Sequence, residues 1–376
     1  MAHGSKLGLI VNPIAGMGGR VGLKGTDSKE IIAKARELGA MPVSPARTIE
    51  ALREIAKIAD RIELVTCPLE MGEEEALSCG FHPTVIDVIT NSETSAADTK
   101  KAARMMLERK VDLLLFAGGD GTARDICTSI DQNMPVLGIP TGVKMHSASF
   151  AVNPRSAGEL TVKYLRGEAP LHEAEVMDID EQAFRNGRLS AELYGYLKIP
   201  YEGELVQSAK SASFSTSDET ASQDLIAQYV VENMTNDYYY VLCPGTTVKA
   251  VADRLGITKT LLGVDLVFRR SLVGSDLNEE QLLRLIDQKK VKIIVSPIGR
   301  QGFIFGRGNP QISPAVIGKV GKQNILIIAT RSKLSSIGPS RLLLVDTGDE
   351  ETDRMLSGYK RVIIGFNEEA ILKISS

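Results

Sequence analysis

A short glycine-rich segment with one acidic residue is the part of the sequence best suited to chemistry. Residues 118–122 read Gly-Gly-Asp-Gly-Thr and directly follow the apolar run Leu113–Ala117. Glycines let the backbone approach a phosphate, and a helix that begins here offers N–H donors. Asp120 would repel a bare phosphate, but it can accept a proton from a hydroxyl group or hold Mg²⁺ beside a phosphate. The alternative is a tight strand–helix turn in which Asp120 only caps the helix.

A second glycine-rich loop follows the first predicted strand, Leu7–Val11, and contains Asn12, Gly16 and Gly19. In an open α/β sheet, ligands bind at the carboxyl ends of the strands. This loop and residues 118–122 would therefore share one crevice. Together they predict a site for phosphate groups, whereas the first loop alone is equally typical of a flexible connection.

A third loop, residues 138–147, follows another apolar run and carries several polar side chains. Lys144 could contact a phosphate, and Thr141 and Gly142 are further candidate ligand contacts. His146 could move a proton, although a lone histidine near a domain junction is more often structural. This loop would join the other two at the same edge of the sheet.

Two glycine-rich loops of the second half could bind a phosphate-bearing ligand as well. Gly245 and Thr246 lie between a predicted strand and a predicted helix, so their N–H groups could form an anion nest. Residues 299–309 contain four glycines and two arginines, of which Arg307 could stabilise phosphate charge. A plain turn is the competing interpretation for both loops.

Several familiar nucleotide and hydrolase motifs are missing from the sequence. It has no GxxxxGK[ST], which argues against a P-loop enzyme, and no GxGxxG opening a helix after the first strand. HRD, DFG and GxSxG are also missing, which argues against a protein kinase and an α/β-hydrolase.

The elements that would position these loops alternate between strand and helix over the first 150 residues. Continuous apolar runs are typical of parallel strands covered on both faces by helices. We therefore assign residues 1–150 to an N-terminal α/β nucleotide-binding domain. The predicted strands are 7–11, 62–65, 85–89, 112–116 and 135–139, and the clearest predicted helices are 96–108 and 123–130.

The pattern changes after residue 150 and predicts a β-rich, mixed C-terminal domain over residues 151–376. Residues 173–180 and 188–196 alternate with period two, which is typical of an antiparallel hairpin. Residues 208–222 are rich in Ser, Thr and Ala and are predicted to be a surface loop. Strand and helix patterns return near 224–296, where we predict an α/β portion.

Composition and charge restrict the class of protein. The 376 residues contain 44 Lys and Arg and 47 Asp and Glu, a net charge of −3. This balance argues against a general nucleic-acid or polybasic membrane binder. No apolar run approaches the ~20 residues that a membrane-spanning helix needs, so we expect no membrane span and a cytoplasmic protein.

The cysteine and histidine patterns predict neither a disulfide framework nor a metal site. The four cysteines are scattered without a CxxC motif, so we expect free thiols. The four histidines lack paired spacing, so we predict no structural zinc. The cysteines are Cys67, Cys79, Cys127 and Cys243, and the histidines are His3, His82, His146 and His172.

The glycine-rich segments resemble those of the superfamily of NAD kinases and diacylglycerol-type lipid kinases. The resemblance is carried by residues 118–122 with Asn12 and Gly16 upstream. Residues 94–102 (TSAADTKKA), 117–125 (AGGDGTARD), 138–147 (GIPTGVKMHS) and 299–309 look most like the ATP–NAD kinase-like branch. The resemblance extends over nearly the whole chain.

This resemblance implies an N-terminal α/β domain, a C-terminal β-rich domain and an active site in the cleft between them. It implies that Asp120 is the base for a hydroxyl acceptor, with ATP or polyphosphate as donor, NAD as acceptor and Mg²⁺ as cofactor. A homo-oligomer is also expected. The expected ligand-binding residues are Asn12, Gly16, Gly19, Gly118, Gly119, Gly121, Thr122, Thr141, Gly142, Lys144, Gly245, Thr246 and Arg307.

One departure from the family pattern concerns the acceptor. Established NAD kinases use an Asn-Glu pair of the second domain to hold NAD, whereas Asn278-Glu279 and Asn367-Glu368 fall at inferred helix starts here. Three interpretations follow: an NAD kinase, a kinase of the same fold for a nucleoside, polyol or lipid headgroup, or a non-catalytic nucleotide-binding protein. Asp120 argues against the third, because a binding-only loop gains nothing from an acid beside phosphate.

Overall fold

A computed structural model gives the fold of most of the chain. The residues it describes are 4–23, 29–88, 94–142, 145–179, 191–203, 205–207, 217–338 and 340–376.

The N-terminal sheet has five parallel strands in the order β3-β2-β1-β4-β5. All six residues of β4 are buried, in agreement with the continuous apolar run that predicted it. The strands are β1 Ser5–Val11, β2 Ile62–Thr66, β3 Thr84–Val85, β4 Leu113–Gly118 and β5 Val136–Pro140.

Helices cover both faces of this sheet. α4 and α5 pack on one face around Phe116, and α2 and α6 pack on the other around Leu115. In the described part of this half the helices are α1 Lys29–Glu37, α2 Ser44–Ile55, α3 Glu73–Ser78, α4 Ala96–Glu108, α5 Asp120–Ile130 and α6 Pro154–Leu165.

An antiparallel hairpin extends the N-terminal core. Its strands, β6 Leu171–Ile179 and β7 Ala191–Pro200, pack against α5 and β5. Val176 and Leu197 belong to the same hydrophobic cluster as Phe116 of β4. The hairpin therefore packs on the N-terminal sheet, and the proposed boundary at residue 150 stays a prediction.

The C-terminal sheet has nine strands in the order β10-β9-β8-β11-β13-β15-β16-β14-β12. Strands β8, β11, β13 and β15 form a parallel block, whereas β9 and β16 pair antiparallel at its two sides. The strands are β8 Tyr239–Leu242, β9 Asp265–Phe268, β10 Ser271–Gly274, β11 Val291–Val295, β12 Phe303–Phe305, β13 Ile325–Ile328, β14 Leu343–Val345, β15 Gly358–Gly365 and β16 Glu368–Ser375.

Six helices from the described ranges pack on the two faces of the C-terminal sheet. The first two cover the face that carries Leu242 and Ile294, and residues of the other four, including Leu334, join the core around Val241 and Ile293. They are α7 Ser217–Glu232, α8 Thr246–Arg254, α9 Glu279–Leu285, α10 Pro314–Val320, α11 Arg331–Ser336 and α12 Glu350–Leu356. Short 3₁₀ helices occupy Ala56–Arg61, Leu69–Met71 and Lys322–Asn324.

The predicted architecture is confirmed: a parallel-sheet α/β unit is joined to a mixed, β-rich unit. Three local predictions are wrong. Helix α7 begins at Ser217 whereas 217–222 was predicted as loop. The strand predicted over 85–89 is only Thr84–Val85 in the described residues, and Asn367-Glu368 lies at the turn between β15 and β16 rather than at a helix start. The rest of that predicted loop, 208–216, and the hairpin turn near residue 186 lie outside the described residues.

Two predictions about the whole chain can also be compared with the structure. All four cysteines are free, as expected. Within the described ranges, no helix combines the length and apolarity that crossing a membrane requires.

Candidate active site

The strand order creates a crevice at the carboxyl edge of the N-terminal sheet. From β1 the chain moves outward to β2 and β3, then returns to place β4 on the other side of β1. Loops that leave neighbouring strands in opposite directions open a ligand crevice between them. The loops that follow β1 and β4 therefore flank this point, and these are the loops that the sequence singled out.

Asn12 links the loop after β1 to the helix after β4. Its side-chain Nδ2 donates to Oγ1 of Thr122 at 3.0 Å, and its Oδ1 accepts from the backbone N–H of Ile14 at 3.3 Å. Its own N–H donates to the carbonyl of Ala117 at 2.9 Å. Asn12 thus fixes the two loops relative to each other.

Glycines are required where the β4–α5 turn is crowded. A Cβ on Gly118 would overlap the side chain of Thr122, whereas a Cβ on Gly121 would meet open space. Gly119 has extended backbone and caps α5, whose first residue is Asp120. The first N–H groups of a helix lack intrahelical partners, so this turn directs donors toward the crevice.

The carboxylate of Asp120 is oriented by the backbone of the loop after β5. Oδ2 accepts from the N–H of His146 at 2.7 Å, and Oδ1 accepts from the N–H of Ser147 at 3.0 Å. Nδ1 of His146 lies 3.3 Å from Oδ2. Only 9% of Asp120 is exposed, and His146 is fully buried. Oδ1 accepts only the Ser147 N–H among these contacts, so its second lone pair leaves acceptor capacity for a ligand.

The loop after β5 closes the third side of the crevice. Gly16 has φ +79°, and a Cβ there would overlap the carbonyl oxygen of Thr141. Gly142 lies against Gly119, since a Cβ on Gly142 would be 3.1 Å from the Cα of Gly119. The hydroxyl of Thr141 is buried and has no hydrogen-bond partner among the described residues. An orphaned buried hydroxyl at this position is available to a ligand.

The structure thus brings most of the predicted N-terminal site residues together. Gly19 is buried in the loop after β1, where its N–H donates to the carbonyl of Gly16 at 3.2 Å. Lys144 lies outside the described residues. The residues around the crevice are Asn12, Gly16, Gly118, Gly119, Asp120, Gly121, Thr122, Thr141 and Gly142.

The C-terminal half reaches this site through a buried ionic cluster. Arg47 of α2 pairs through both terminal nitrogens with Asp346, which directly follows β14, and its Nε donates to the carbonyl of Pro140 at 3.1 Å. Arg307, which follows β12, pairs with Asp346 at 3.2 Å. All three side chains are less than one-tenth exposed. The cluster joins the two sheets directly behind the loop after β5.

Arg307 was predicted to contact a phosphate, but its guanidinium is already paired with groups of the protein. Its guanidinium donates to the carbonyl of Val152 at 2.9 Å and to Oε1 of Gln207 at 3.4 Å, besides pairing with Asp346. Burial lowers the pKa of Arg307 to about 10, against the opposing effect of Asp346. Arg307 is therefore still charged at neutral pH, but a contact with phosphate would require it to exchange these partners.

The electrostatics of Asp346 follow from its two arginine partners. Burial alone would raise the pKa of Asp346, but Arg47 and Arg307 together hold that pKa below its usual value. Burial would likewise lower the pKa of Arg47, and the carboxylate of Asp346 keeps it raised. The cluster is therefore ionised at neutral pH.

Gly245 and Thr246 lie in a second polar region, at the carboxyl end of β8. Gly245 precedes α8 with φ +117°, and Thr246 is exposed at the first turn of that helix. Lys333 of α11 donates to Oγ1 of Thr247 at 2.9 Å and to Oγ of Ser296 at 3.0 Å. These residues follow three neighbouring parallel strands, so they share one edge of the C-terminal sheet.

Residues 296–302 connect this second region to the first. Ser296 directly follows β11, and Gln301 in the same loop donates from Nε2 to the carbonyl of Met145 at 2.9 Å. Met145 precedes the two residues whose N–H groups hold Asp120. The edge of the C-terminal sheet therefore faces the loop that carries the Asp120 contacts.

Sequence reasoning missed four residues of this interface: Arg47, Gln301, Lys333 and Asp346. Each pairs with partners that lie far away in the chain, so local patterns give little signal. The strongest available signal is Asp346, an acid directly after an apolar strand and before Thr347 and Gly348.

The fold and the crevice together define an α/β protein with two main sheets and a glycine-rich crevice at the carboxyl edge of the N-terminal sheet. Comparison with known families identifies the class of protein. Residues 7–169 match the ATP-NAD kinase N-terminal domain, and residues 235–374 match the ATP-NAD kinase C-terminal domain. These matches cover most of the chain. The chain belongs to the ATP-NAD kinase family.

Other comparisons add little. No curated protein sequence matches the chain. The solved structures include a match from Listeria monocytogenes, provisionally assigned as a UDP-N-acetylglucosamine 2-epimerase. It is 11% identical, the alignment covers 93% of this chain and 75% of that chain, and the TM-score is 0.27. Similarity at this level carries no argument about fold or function.

Proposed function

We propose that this protein is an ATP-dependent kinase that phosphorylates the adenosine ribose 2′-hydroxyl of NAD to give NADP. Membership of the ATP-NAD kinase family supports the reaction class and the substrates. The observation that carries the proposal is the placement of Asp120, which begins α5 at the switch point of the sheet with both oxygens oriented by N–H groups.

The donor phosphates would lie against the N-terminal crevice. Backbone N–H groups of α5 and the glycine turns supply donors, and the helix dipole favours the negative charge. Asn12 and Thr122 hold the two loops at a fixed separation. We assign donor binding to Asn12, Gly16, Gly19, Gly118, Gly119, Gly121, Thr122, Thr141, Gly142 and Lys144.

Asp120 would act as the general base. Its carboxylate accepts the proton of the acceptor hydroxyl while that oxygen bonds to the γ-phosphorus. The bond between this phosphorus and the bridging oxygen breaks, and ADP leaves with the bonding electrons. Most of the rate enhancement in such a transfer comes from in-line positioning and stabilisation of charge, because the protein forms no covalent intermediate.

A divalent cation is implied by the family, and the chemistry of the site fits one that arrives with the nucleotide. Across the described ranges, no group of three or more His, Cys, Asp or Glu side chains is placed to hold a metal ion. Mg²⁺ is commonly held by one or two carboxylates, water and substrate phosphates. Asp120 is the carboxylate available here, and the cation would neutralise charge on the phosphoryl oxygens.

The second polar region is the candidate for the acceptor. We propose that Gly245 and Thr246, at the start of α8, contact an anionic part of NAD. Arg307 would contribute positive charge at a distance, since its guanidinium is paired with Asp346. Polyphosphate as the donor, a homo-oligomeric state and a cytoplasmic location remain predictions.

A different acceptor is the second candidate function, and one observation favours it. The carboxamide of Asn278 caps α9 by accepting from the N–H of Gln281 at 2.9 Å. Asn367 lies in the turn between β15 and β16 with φ +53°. The Asn278 carboxamide is thus used as a helix cap, although the N–H of Glu279 reaches the carbonyl of Arg20 in the loop after β1 at 3.1 Å. Because both asparagines serve local structure, another hydroxyl compound is the alternative substrate.

A coupled assay tests the proposal. Protein, ATP and Mg²⁺ are mixed with NAD, and an NADP-specific dehydrogenase reports the product. We expect turnover in the wild type and a loss of at least about 100-fold in Asp120→Asn, with ATP binding retained. Asp125→Asn is the matched control, because Asp125 lies on the same helix and pairs with Lys100 at 3.2 Å.

The outcomes separate the two candidates. Wild-type turnover that survives in Asp120→Asn would rule out the base assignment. ATP binding without NADP formation would rule out NAD as the acceptor and direct the assay to a panel of nucleosides, polyols and lipid headgroups.

A further inference from the structure

The peptide group between Met145 and His146 has a hydrogen bond on each side. Its carbonyl accepts from Nε2 of Gln301 at 2.9 Å, and its N–H donates to Oδ2 of Asp120 at 2.7 Å. Gln301 belongs to the loop between β11 and β12, so the two bonds run from the C-terminal half into the N-terminal site. A single amide thus connects Gln301 with the carboxylate.

This arrangement makes the two bonds interdependent. Hydrogen bonds in series polarise one another, and a donor to an amide oxygen makes the N–H of the same amide a better donor. Gln301 is 7% exposed, Met145 3% and His146 0%, so water competes weakly for these groups. Removal of the Gln301 amide would therefore weaken the hydrogen bond from the His146 N–H to Asp120. It would also leave the 145–146 peptide freer to rotate.

We propose that Gln301 is a positioning residue for the phosphoryl transfer. It orients Asp120 through the 145–146 peptide, so the C-terminal half sets the direction of the base. This inference rests on the proposed role of Asp120. It follows that full turnover requires the loop between β11 and β12 to contact the loop after β5.

Gln207 provides a control, because it donates to the same loop after β5 that Gln301 contacts. It is 4% exposed, and its Nε2 donates to the carbonyl of Ser147 at 2.7 Å. That carbonyl belongs to the next peptide, whose N–H, on Ala148, donates to the carbonyl of Glu175 at 2.8 Å. Gln207→Met therefore removes a similar buried bond whose peptide does not donate to Asp120. It also removes the longer contact of Gln207 Oε1 with Arg307 at 3.4 Å, so any loss in this variant is an upper limit for a bond of this kind.

A spectroscopic test reports on the peptide without any need for turnover. The chain has four histidines, so protein labelled with ¹⁵N-histidine gives few backbone amide signals, and a His146→Gln variant assigns the one of interest. We expect this amide proton to move upfield and exchange faster in Gln301→Met but not in Gln207→Met. An unchanged signal in folded Gln301→Met would overturn the proposal.

A kinetic test separates positioning from general structural support. We expect Gln301→Met to lower kcat about tenfold, the effect of one lost hydrogen bond, with little change in KM for ATP. Gln301→Glu should recover turnover relative to Gln301→Met as the pH falls, because a protonated carboxyl group can again donate to the Met145 carbonyl. Gln207→Met should show a smaller loss and no such recovery.

The results distinguish this inference from the proposed function. If the wild type does not phosphorylate NAD, the proposed function fails, and the histidine spectra still decide whether Gln301 holds the peptide. If the wild type is active and both Gln301 variants keep its kcat and pH profile, the inference fails alone.

Discussion

The two halves of the molecule contribute different kinds of groups to the candidate site. Around the N-terminal crevice the contacts come from backbone: glycine turns, the first turn of α5 and the N–H groups of His146 and Ser147. The C-terminal half instead contributes buried polar side chains, namely Gln301, Arg307 and Asp346. The first surface is the proposed phosphate site, and the buried side chains of the second hold its loops in place.

This difference determines how each half responds to mutation. A backbone surface is damaged when a side chain is added, because the close approach of two turns is lost. A side-chain network is damaged when one member is removed, because its buried partners then lack a counter-charge or a hydrogen bond. Substitutions on the two sides should therefore differ in both size and mechanism.

The largest effect is expected from Asp346→Asn. The substitution leaves the charges of Arg47 and Arg307 buried without their shared carboxylate, which should lower the free energy of unfolding by about 3–5 kcal/mol. Urea unfolding at neutral pH measures this. Because Asp346 holds a lowered pKa, its contribution is present above the unfolded-state pKa and is lost as the pH falls through the folded-state value.

The same substitution in an exposed pair gives the control. Asp287 pairs with Lys319 on the surface, where both side chains are more than one-third exposed. Asp287→Asn should change stability much less than Asp346→Asn, because solvent screens an exposed ion pair. Equal losses at Asp346 and Asp287 would show that the buried cluster does not hold the two halves together.

Much of the N-terminal crevice could be predicted from sequence because its signals are local. The apolar run of β4, the glycines and Asp120 are contiguous, and the Asn12 loop directly follows another apolar strand. Strand order then places these loops together without any further information. The pairing of Arg47 with Asp346, by contrast, joins residues 299 positions apart and leaves no local pattern.

Two helices illustrate the limits of periodicity. α2 was not predicted, because its buried face includes Ser44, Arg47 and Thr48 beside apolar residues, and the polar types hide the helical pattern. The start of α7 was predicted as a loop, because its first six residues are mostly polar and carry no buried stripe. In both cases tertiary contacts, which local composition does not report, determine the structure.

A smaller but still clear effect is expected from glycine substitution in the crevice. Gly16→Ala places a Cβ against the Thr141 carbonyl at a positive φ, which should destabilise the protein by about 2–4 kcal/mol and weaken ATP binding. Gly121→Ala is the matched control within the same site. It meets open space on a helix, so stability should rise by about 0.5–1 kcal/mol.

The two glycine variants also test whether the backbone of the crevice binds the nucleotide. Thermal unfolding gives stability, and calorimetric titration with ATP and Mg²⁺ gives affinity. If Gly121 lies against a bound phosphate, Gly121→Ala should be more stable than wild type and bind ATP more weakly. Wild-type affinity in both variants would argue that the nucleotide binds elsewhere.

The smallest effect on stability is expected from Thr141→Val, the one change that separates ligand binding from folding at this edge. The Thr141 hydroxyl is buried without a partner in the described structure, so an isosteric apolar side chain should alter stability by less than about 0.5 kcal/mol. Ser149→Ala is the control, since Ser149 is fully buried and its hydroxyl also lacks a described partner. If a bound phosphate uses the Thr141 hydroxyl, KM for ATP should rise about five- to tenfold in Thr141→Val and stay unchanged in Ser149→Ala. Equal KM values in all three proteins would remove Thr141 from the donor site and leave the crevice to backbone groups alone.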